Sequence, residues 1–373
     1  MPGKPFHAFW LFFPAASLWA ALSVPLSIFS ATSGWPVGLI GAGHGHELLF
    51  GFALALVAGY TLGPQPWRVL IPIFLVWLLA RASWLIAPEL LISRALSIAF
   101  ALMVARQVVP RFQAAKKWRN KVAGPLILAL CLATLAYSLS QYGLPLPSVR
   151  RIMLATIIGL LLLMTFIGGR AIAPAIAGIL EKRGISLNAR VQPRIEGALL
   201  ILLSLAMLLI LTPIADPITG LLLIISGGLI GLRATRWKLW LFGHRPDLLV
   251  FGLGYLWLAA GSTIIGIALL SGRAPLPAMH LITIGALGTL SCSVMLRQAW
   301  QRAQRRFPPR WQVLAVAVTT SVAAISRFSA GSNPHSQPDL LWISATAWSV
   351  TYVGVFIQLL LLFWHSQSKR IQR

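Results

Sequence analysis

The sequence predicts an all-α polytopic membrane protein: about twelve transmembrane helices forming a single helical domain over residues 1–373, with both termini cytoplasmic. Three observations predict it. The chain is 58% hydrophobic and only 10% charged, with a mean hydropathy of +0.81, whereas a soluble domain carries about 25% charged residues. Apolar runs long enough to cross a hydrocarbon core, about 20 residues, recur along its whole length. Finally, the 31 Lys and Arg are unevenly placed: with the amino terminus inside, 25 fall on the inner side and six on the outer, as the positive-inside rule requires.

The spans follow in order. Span 1, residues 7–29, is preceded by Lys4 in the manner of a signal peptide, but it lacks a small-residue cleavage site and the chain stays apolar beyond it. It is therefore expected to be a retained helix. Span 2, residues 44–63, is ended by Pro64 and Pro66; span 3, residues 69–86, contains Arg81; span 4, residues 90–109, contains Arg94 and Arg106. Span 5 covers residues 122–142 and span 6 residues 152–168. The connection from Arg170 to Arg194, apolar over 171–180 and then charged at Glu181-Lys182-Arg183, is expected to lie along the cytoplasmic interface.

Spans 7 to 9 are residues 195–212, 214–232 and 248–270. Span 10, residues 276–296, opens on Pro275 and Pro277. Proline suits a first helical turn because its missing N–H has no partner there, so His280 falls about one turn inside the span. Spans 11 and 12 are residues 311–328 and 340–364. Glycines at 227, 228 and 231, at 252, 254 and 261, and at 285 and 288 are expected to mark close helix contacts. Cys131 and Cys292 sit at membrane depth without a CxxC neighbour, which indicates neither a disulfide nor a thiolate metal site.

The net charge of +24 resides in inner clusters at 111–121, 182–194, 233–245, 297–310 and 369–373. Topology and anionic lipid explain it. No loop is long enough to fold into a nucleic-acid-binding domain, so the expected partner is the bilayer and not nucleic acid.

Chemistry is expected where the scarce residues gather. The chain has seven histidines and seven acids, and Gly43-His44-Gly45-His46-Glu47 holds two of the first and one of the second. Imidazole is the usual ligand of haem iron and of many metals. Even-numbered spans begin on the outer side, which puts His44 and His46 at the outer end of span 2 and His280 near the outer end of span 10. Arg81 and Arg327 fall in the same layer. An arginine inside a span needs a partner. The acids of that layer are Glu47, Glu89, Asp216 and Asp339; a ligand bearing carboxylates is the alternative. Haem would use both residue types, its iron taking imidazole and its propionates taking guanidinium.

Two residues apart on a helix, His44 and His46 are rotated by about 200°, so one of them faces a given neighbour. His46 lies nearer the body of span 2 and is the preferred ligand. His44 reads as a second ligand, a donor to a propionate or a solvated loop residue. Glu47 reads either as the acceptor that orients an imidazole or as a carboxylate placed favourably at a helix amino terminus. His7, His244, His335 and His365 read as interfacial.

At these residues the chain resembles the NnrS family, membrane proteins described as haem- and copper-containing and linked to nitric oxide stress and denitrification. The segment Gly43-His44-Gly45-His46-Glu47-Leu48-Leu49-Phe50-Gly51-Phe52 is similar to the family's WHxHExLFGF. Gly168-Gly169-Arg170 with Pro174 is similar to its GGRxIP, Gly254-Tyr255-Leu256-Trp257 to its GYxW, and the run from His280 to Thr289 to its HxxTxGAxGxM. Pro5-Phe6-His7-Ala8-Phe9 is similar to its RPFFLL start. The departures are specific. Gly43 stands for a tryptophan, Gly63-Pro64-Gln65-Pro66-Trp67 for PNWTG, Gly252 for one histidine and Gln301-Arg302 for part of a GHTGR that holds another. The resemblance implies haem b and copper, and the loss of two histidines weakens the copper expectation. More distantly the chain resembles subunit I of haem-copper oxidases, which also has twelve spans and a haem between histidines of spans 2 and 10. Spans 6 and 7 hold no histidine to match that family's copper ligands.

The expected function is that of an NnrS-type protein of the bacterial inner membrane. It would bind haem through His46 and His280, with Arg81 and Arg327 as propionate counterions. It would act in the nitric oxide or nitrosative-stress response or in membrane electron transfer, with nitric oxide or an electron-transfer protein as partner. Catalysis is left open, because two-histidine ligation leaves no open coordination position; copper held by His44 and Met279 would restore one. The alternative is a small-molecule or anion permease without haem, whose buried arginines bind the substrate.

Overall fold

A computed structural model describes residues 5–142, 144–181, 184 and 191–371. Its helices are α1 (Phe9–Ser33), α2 (residues 43–61), α3 (Trp67–Ile86), α4 (Leu91–Gln113), α5 (Ala123–Ser140) and α6 (Val149–Glu181), then α7 (Pro193–Leu209), α8 (Asp216–Thr235), α9 (Pro246–Leu270), α10 (Leu276–Gln304), α11 (Arg310–Ser329) and α12 (Pro338–Ile371). Among the described residues, ten helices are long and apolar enough to cross a membrane, and the chain is an all-α, multi-pass membrane protein. The two predicted spans outside the ten are α2, which is not one regular helix, and α7, whose 17 residues reach about 25 Å at 1.5 Å per residue.

Local sequence fixes the helix ends. Gly34, at φ +76°, closes α1 in the left-handed conformation with its N–H on the Ser30 carbonyl, a conformation that costs glycine little. Pro193, Pro246 and Pro277 occupy first turns. The amino-terminal Phe6–His7 pairs antiparallel with Pro64–Gln65, the turn between α2 and α3.

One expectation is corrected. Residues 171–180 do not lie apart from span 6, because α6 runs unbroken for 33 residues from Val149 to Glu181. Gly168 and Gly169 are contact positions within it and not a helix end: a Cβ at Gly168 would meet the Tyr255 ring at 2.8 Å, and one at Gly169 would overlap the Arg233 guanidinium. The remainder of the expected interfacial segment, 182–183 and 185–190, lies outside the described residues.

The helices form two compact units. The first comprises Met1–Thr156, Gln298–Arg305 and Tyr352–Arg373; the second comprises Ile157–Arg297 and Arg306–Thr351. In the first, α4 packs between α3 and α5, and α1 lies on α2. In the second, α8 and α9 pair most extensively, with α7 beside α8 and the start of α10 held between α9 and α11. The α8–α9 backbones touch at Gly220 and Gly266: a Cβ on Gly220 would come within 2.7 Å of the Gly266 carbonyl oxygen, and one on Gly266 within 2.5 Å of that of Gly220.

Candidate functional site

The irregularity of α2 positions the site. Gly43–His46 is α-helical, Glu47–Ala53 is π-helical, and Leu54–Thr61 is α-helical again. A π segment widens the turn by one residue and so re-aims the side chains on it, and such segments occur frequently at functional sites. Within this segment the Gly51 carbonyl also accepts a hydrogen bond from Trp77 Nε1 on α3 at 2.9 Å. A Cβ at Gly51 would crowd the cluster, lying 2.7 Å from an Arg81 nitrogen and 3.1 Å from Trp19 Nε1.

His46, at the head of the π segment, is wholly buried, as is Glu47, and Arg81 is 1% exposed. His46 Nδ1 lies 3.0 Å from Glu47 Oε1. The same oxygen accepts from Arg81 of α3, whose other terminal nitrogen donates to Ser97 Oγ of α4 at 2.9 Å. Ser97 in turn donates to the Ser93 carbonyl at 3.2 Å. The imidazole is stacked on Trp84, with centroids 3.5 Å and planes 11° apart, and Tyr137 and Phe50 approach at 4.8 and 5.3 Å. Trp84 Nε1 donates to the Gly38 carbonyl at 2.9 Å.

Three buried polar atoms of this cluster have no hydrogen-bond partner among the described residues: His46 Nε2, Glu47 Oε2 and Arg81 Nε. A buried polar atom left unpaired costs about 1–3 kcal/mol, and each such atom calls for an explanation. An imidazole anchored through Nδ1 with a bare, enclosed Nε2 has the donor arrangement of a metal-ligating histidine.

The other expected residues are placed as follows. His44 is half-exposed and its Nδ1 lies 2.7 Å from the Gly41 carbonyl oxygen. Arg81, expected to meet a propionate, is engaged by Glu47, one of the acids the sequence offered it. In the second unit His280 is partly buried, with Nδ1 2.9 Å from the Leu276 carbonyl oxygen. It too stands immediately before a π segment, Leu281–Ala286. The turn Leu276–His280 packs against α11, which carries Arg327. That arginine is 8% exposed and donates to the Gly331 carbonyl at 3.2 Å; among the described residues no carboxylate pairs with it.

Sequence reasoning missed a second buried pair. Arg233 of α8 donates to Glu196 of α7 at 2.8 Å and to the Thr165 carbonyl of α6 at 3.0 Å, and the Tyr255 hydroxyl donates to that same carbonyl. Glu196 is one of only seven acids and falls at the start of predicted span 7, which was the available signal. This pair lies beside Tyr255 of α9, whereas Leu281 and Ile282, just after His280, pack against Gly261 further along the same helix.

A family model described as NnrS protein matches residues 6–366. No curated protein matches the chain.

Proposed function

The chain belongs to the NnrS family, and from that premise we propose that it is a haem-binding protein of the bacterial inner membrane, both termini cytoplasmic, acting in the nitric oxide or nitrosative-stress response or in membrane electron transfer. The observation that carries the proposal is the state of His46: Nδ1 is tied to Glu47 while Nε2 is buried with no partner among the described residues. That donor set fits iron. His46 would hold it through Nε2, and His280, the other histidine heading a π segment, is the second candidate ligand. Arg327, buried and paired with no acid among the described residues, suits a propionate. A bound haem supplies a one-electron couple. The protein's own residues orient the imidazole and exclude water from it.

The test is the visible spectrum of the purified full chain. We expect a Soret band that is lost or displaced in His46→Ala and His280→Ala alike. A wild-type protein without that band, or a band indifferent to both substitutions, overturns the proposal. Anion uptake by haem-free proteoliposomes would establish the permease reading in its place.

A further inference from the structure

The haem reading gives His46 Nε2 a use but leaves the buried charged pair beside it unexplained. We infer that Glu47 and Arg81 are positioning residues that hold His46 in its Nδ1–H tautomer, so that Nε2 presents a lone pair and not a proton.

The inference follows from a donor count. A carboxylate paired with arginine is an acceptor only. Glu47 Oε1 is so paired, and it lies 3.0 Å from His46 Nδ1, so the hydrogen of that bond belongs to Nδ1. A neutral imidazole has a single N–H, which leaves Nε2 bare. The reverse tautomer would set a nitrogen lone pair against a carboxylate oxygen. Rotating the ring to restore the bond is opposed by Trp84, which lies flat on it and is itself fixed to the Gly38 carbonyl.

Arg81 contributes in two ways. Its charge balances that of Glu47, so the buried set is neutral; an unbalanced buried carboxylate would be strongly destabilising. Its fork also fixes direction, one nitrogen on Glu47 Oε1 and the other on Ser97 Oγ, so the carboxylate cannot turn away from the imidazole. Three helices meet in this relay: α2 supplies His46 and Glu47, α3 supplies Arg81 and Trp84, and α4 supplies Ser97. All belong to the first unit.

What Nε2 receives rests on the haem reading; the tautomer does not. The experiment therefore reads the imidazole directly, by vibrational spectroscopy of the detergent-solubilised full chain carrying isotope-labelled histidine. The difference between wild type and His46→Ala isolates this ring among seven. We expect the ring modes of the Nδ1–H form in wild type and a mixture of tautomers in Glu47→Gln, whose amide both donates and accepts. An Nε2–H or mixed signature in wild type overturns the inference, and that result needs no variant at Glu47 to fold.

A second readout is haem affinity by titration. Loss of an orienting partner typically weakens a metal site about 10- to 100-fold, expected for Glu47→Gln and more mildly for Arg81→Lys. Unchanged affinity in both would show the pair to be structural only. A wild type that takes up no haem yet shows the Nδ1–H modes would overturn the haem proposal and uphold this one.

Discussion

Trp84 lies flat against His46, centroids 3.5 Å and planes 11° apart, while its own indole N–H is spent on the Gly38 carbonyl. The indole is thus both a wall for the imidazole and a tie between α3 and the segment before α2. Its two contributions separate by substitution. Trp84→Phe keeps a flat ring but leaves the Gly38 carbonyl without its donor, an expected loss of about 1 kcal/mol. Trp84→Ala removes the wall as well and is expected to cost about 3–5 kcal/mol. Equilibrium unfolding in mixed detergent micelles, followed by helicity, gives the two numbers. Equal losses would mean that the stack adds nothing.

His44 and His46 are two residues apart, and burial separates them. His46 is enclosed, whereas His44 sits half-exposed against the Gly41 carbonyl. We expect His44→Ala to change stability by no more than about 0.5 kcal/mol, as for ordinary surface positions, and to leave haem uptake intact. His46→Ala should abolish uptake. The paired absorption spectra check both, and loss of the chromophore in His44→Ala would transfer the ligand role to that residue.

This division shows what a sequence carries and what it does not. Hydropathy and the Lys/Arg asymmetry made the order and approximate limits of the helices legible, and helix rise set the depth of His46, Glu47 and Arg81. Depth is a coordinate along the helix axis. It leaves undetermined which side chains face each other across helices, so the choice between Glu47 and a propionate for Arg81 was open from the sequence. Ser97 and Trp84 gave no signal, being ordinary residues in apolar runs whose roles come from packing. The π segments after His46 and His280 were also hidden, because an inserted residue changes the hydrogen-bond ladder and not the composition. Span 6, expected to stop at residue 168, runs on to Glu181, and Gly168 and Gly169 admit Tyr255 and Arg233 to an unbroken helix.

The Glu196–Arg233 pair belongs to the second unit, not the one that contains His46, and tests what a buried charge contributes there. Both residues are nearly inaccessible, at 2% and 3%. Removing one partner leaves the other charged and alone, a loss of about 3–5 kcal/mol, whereas replacing both by apolar or neutral groups of similar size is often close to neutral. Glu196→Gln and Arg233→Met should therefore each be severe, and the double variant clearly milder than their sum. Haem binding should be indifferent wherever the protein folds. A double-mutant cycle in denaturant measures the coupling, and strict additivity would show that the two charges are solvated independently.

The depths of His46, His280 and Arg327 relative to the two membrane faces depend on the orientation of the chain. Twenty-five of the 31 basic residues fall on one side of the predicted topology, five clusters of them in the loops that follow spans 4, 6, 8 and 10 and in the carboxyl tail. Each Lys or Arg near an anionic surface contributes about 1 kcal/mol toward keeping its loop inside. The whole set should therefore override any single contrary residue, including Arg273 in the loop between α9 and α10. Reporter fusions decide it: an enzyme active only outside the cytoplasm should be silent when fused after residue 368 or within 233–245, and active when inserted at 272–274. The inverse pattern would place His46, His280 and Arg327 on the cytoplasmic side. It would then require the proposed haem to exchange electrons with partners there.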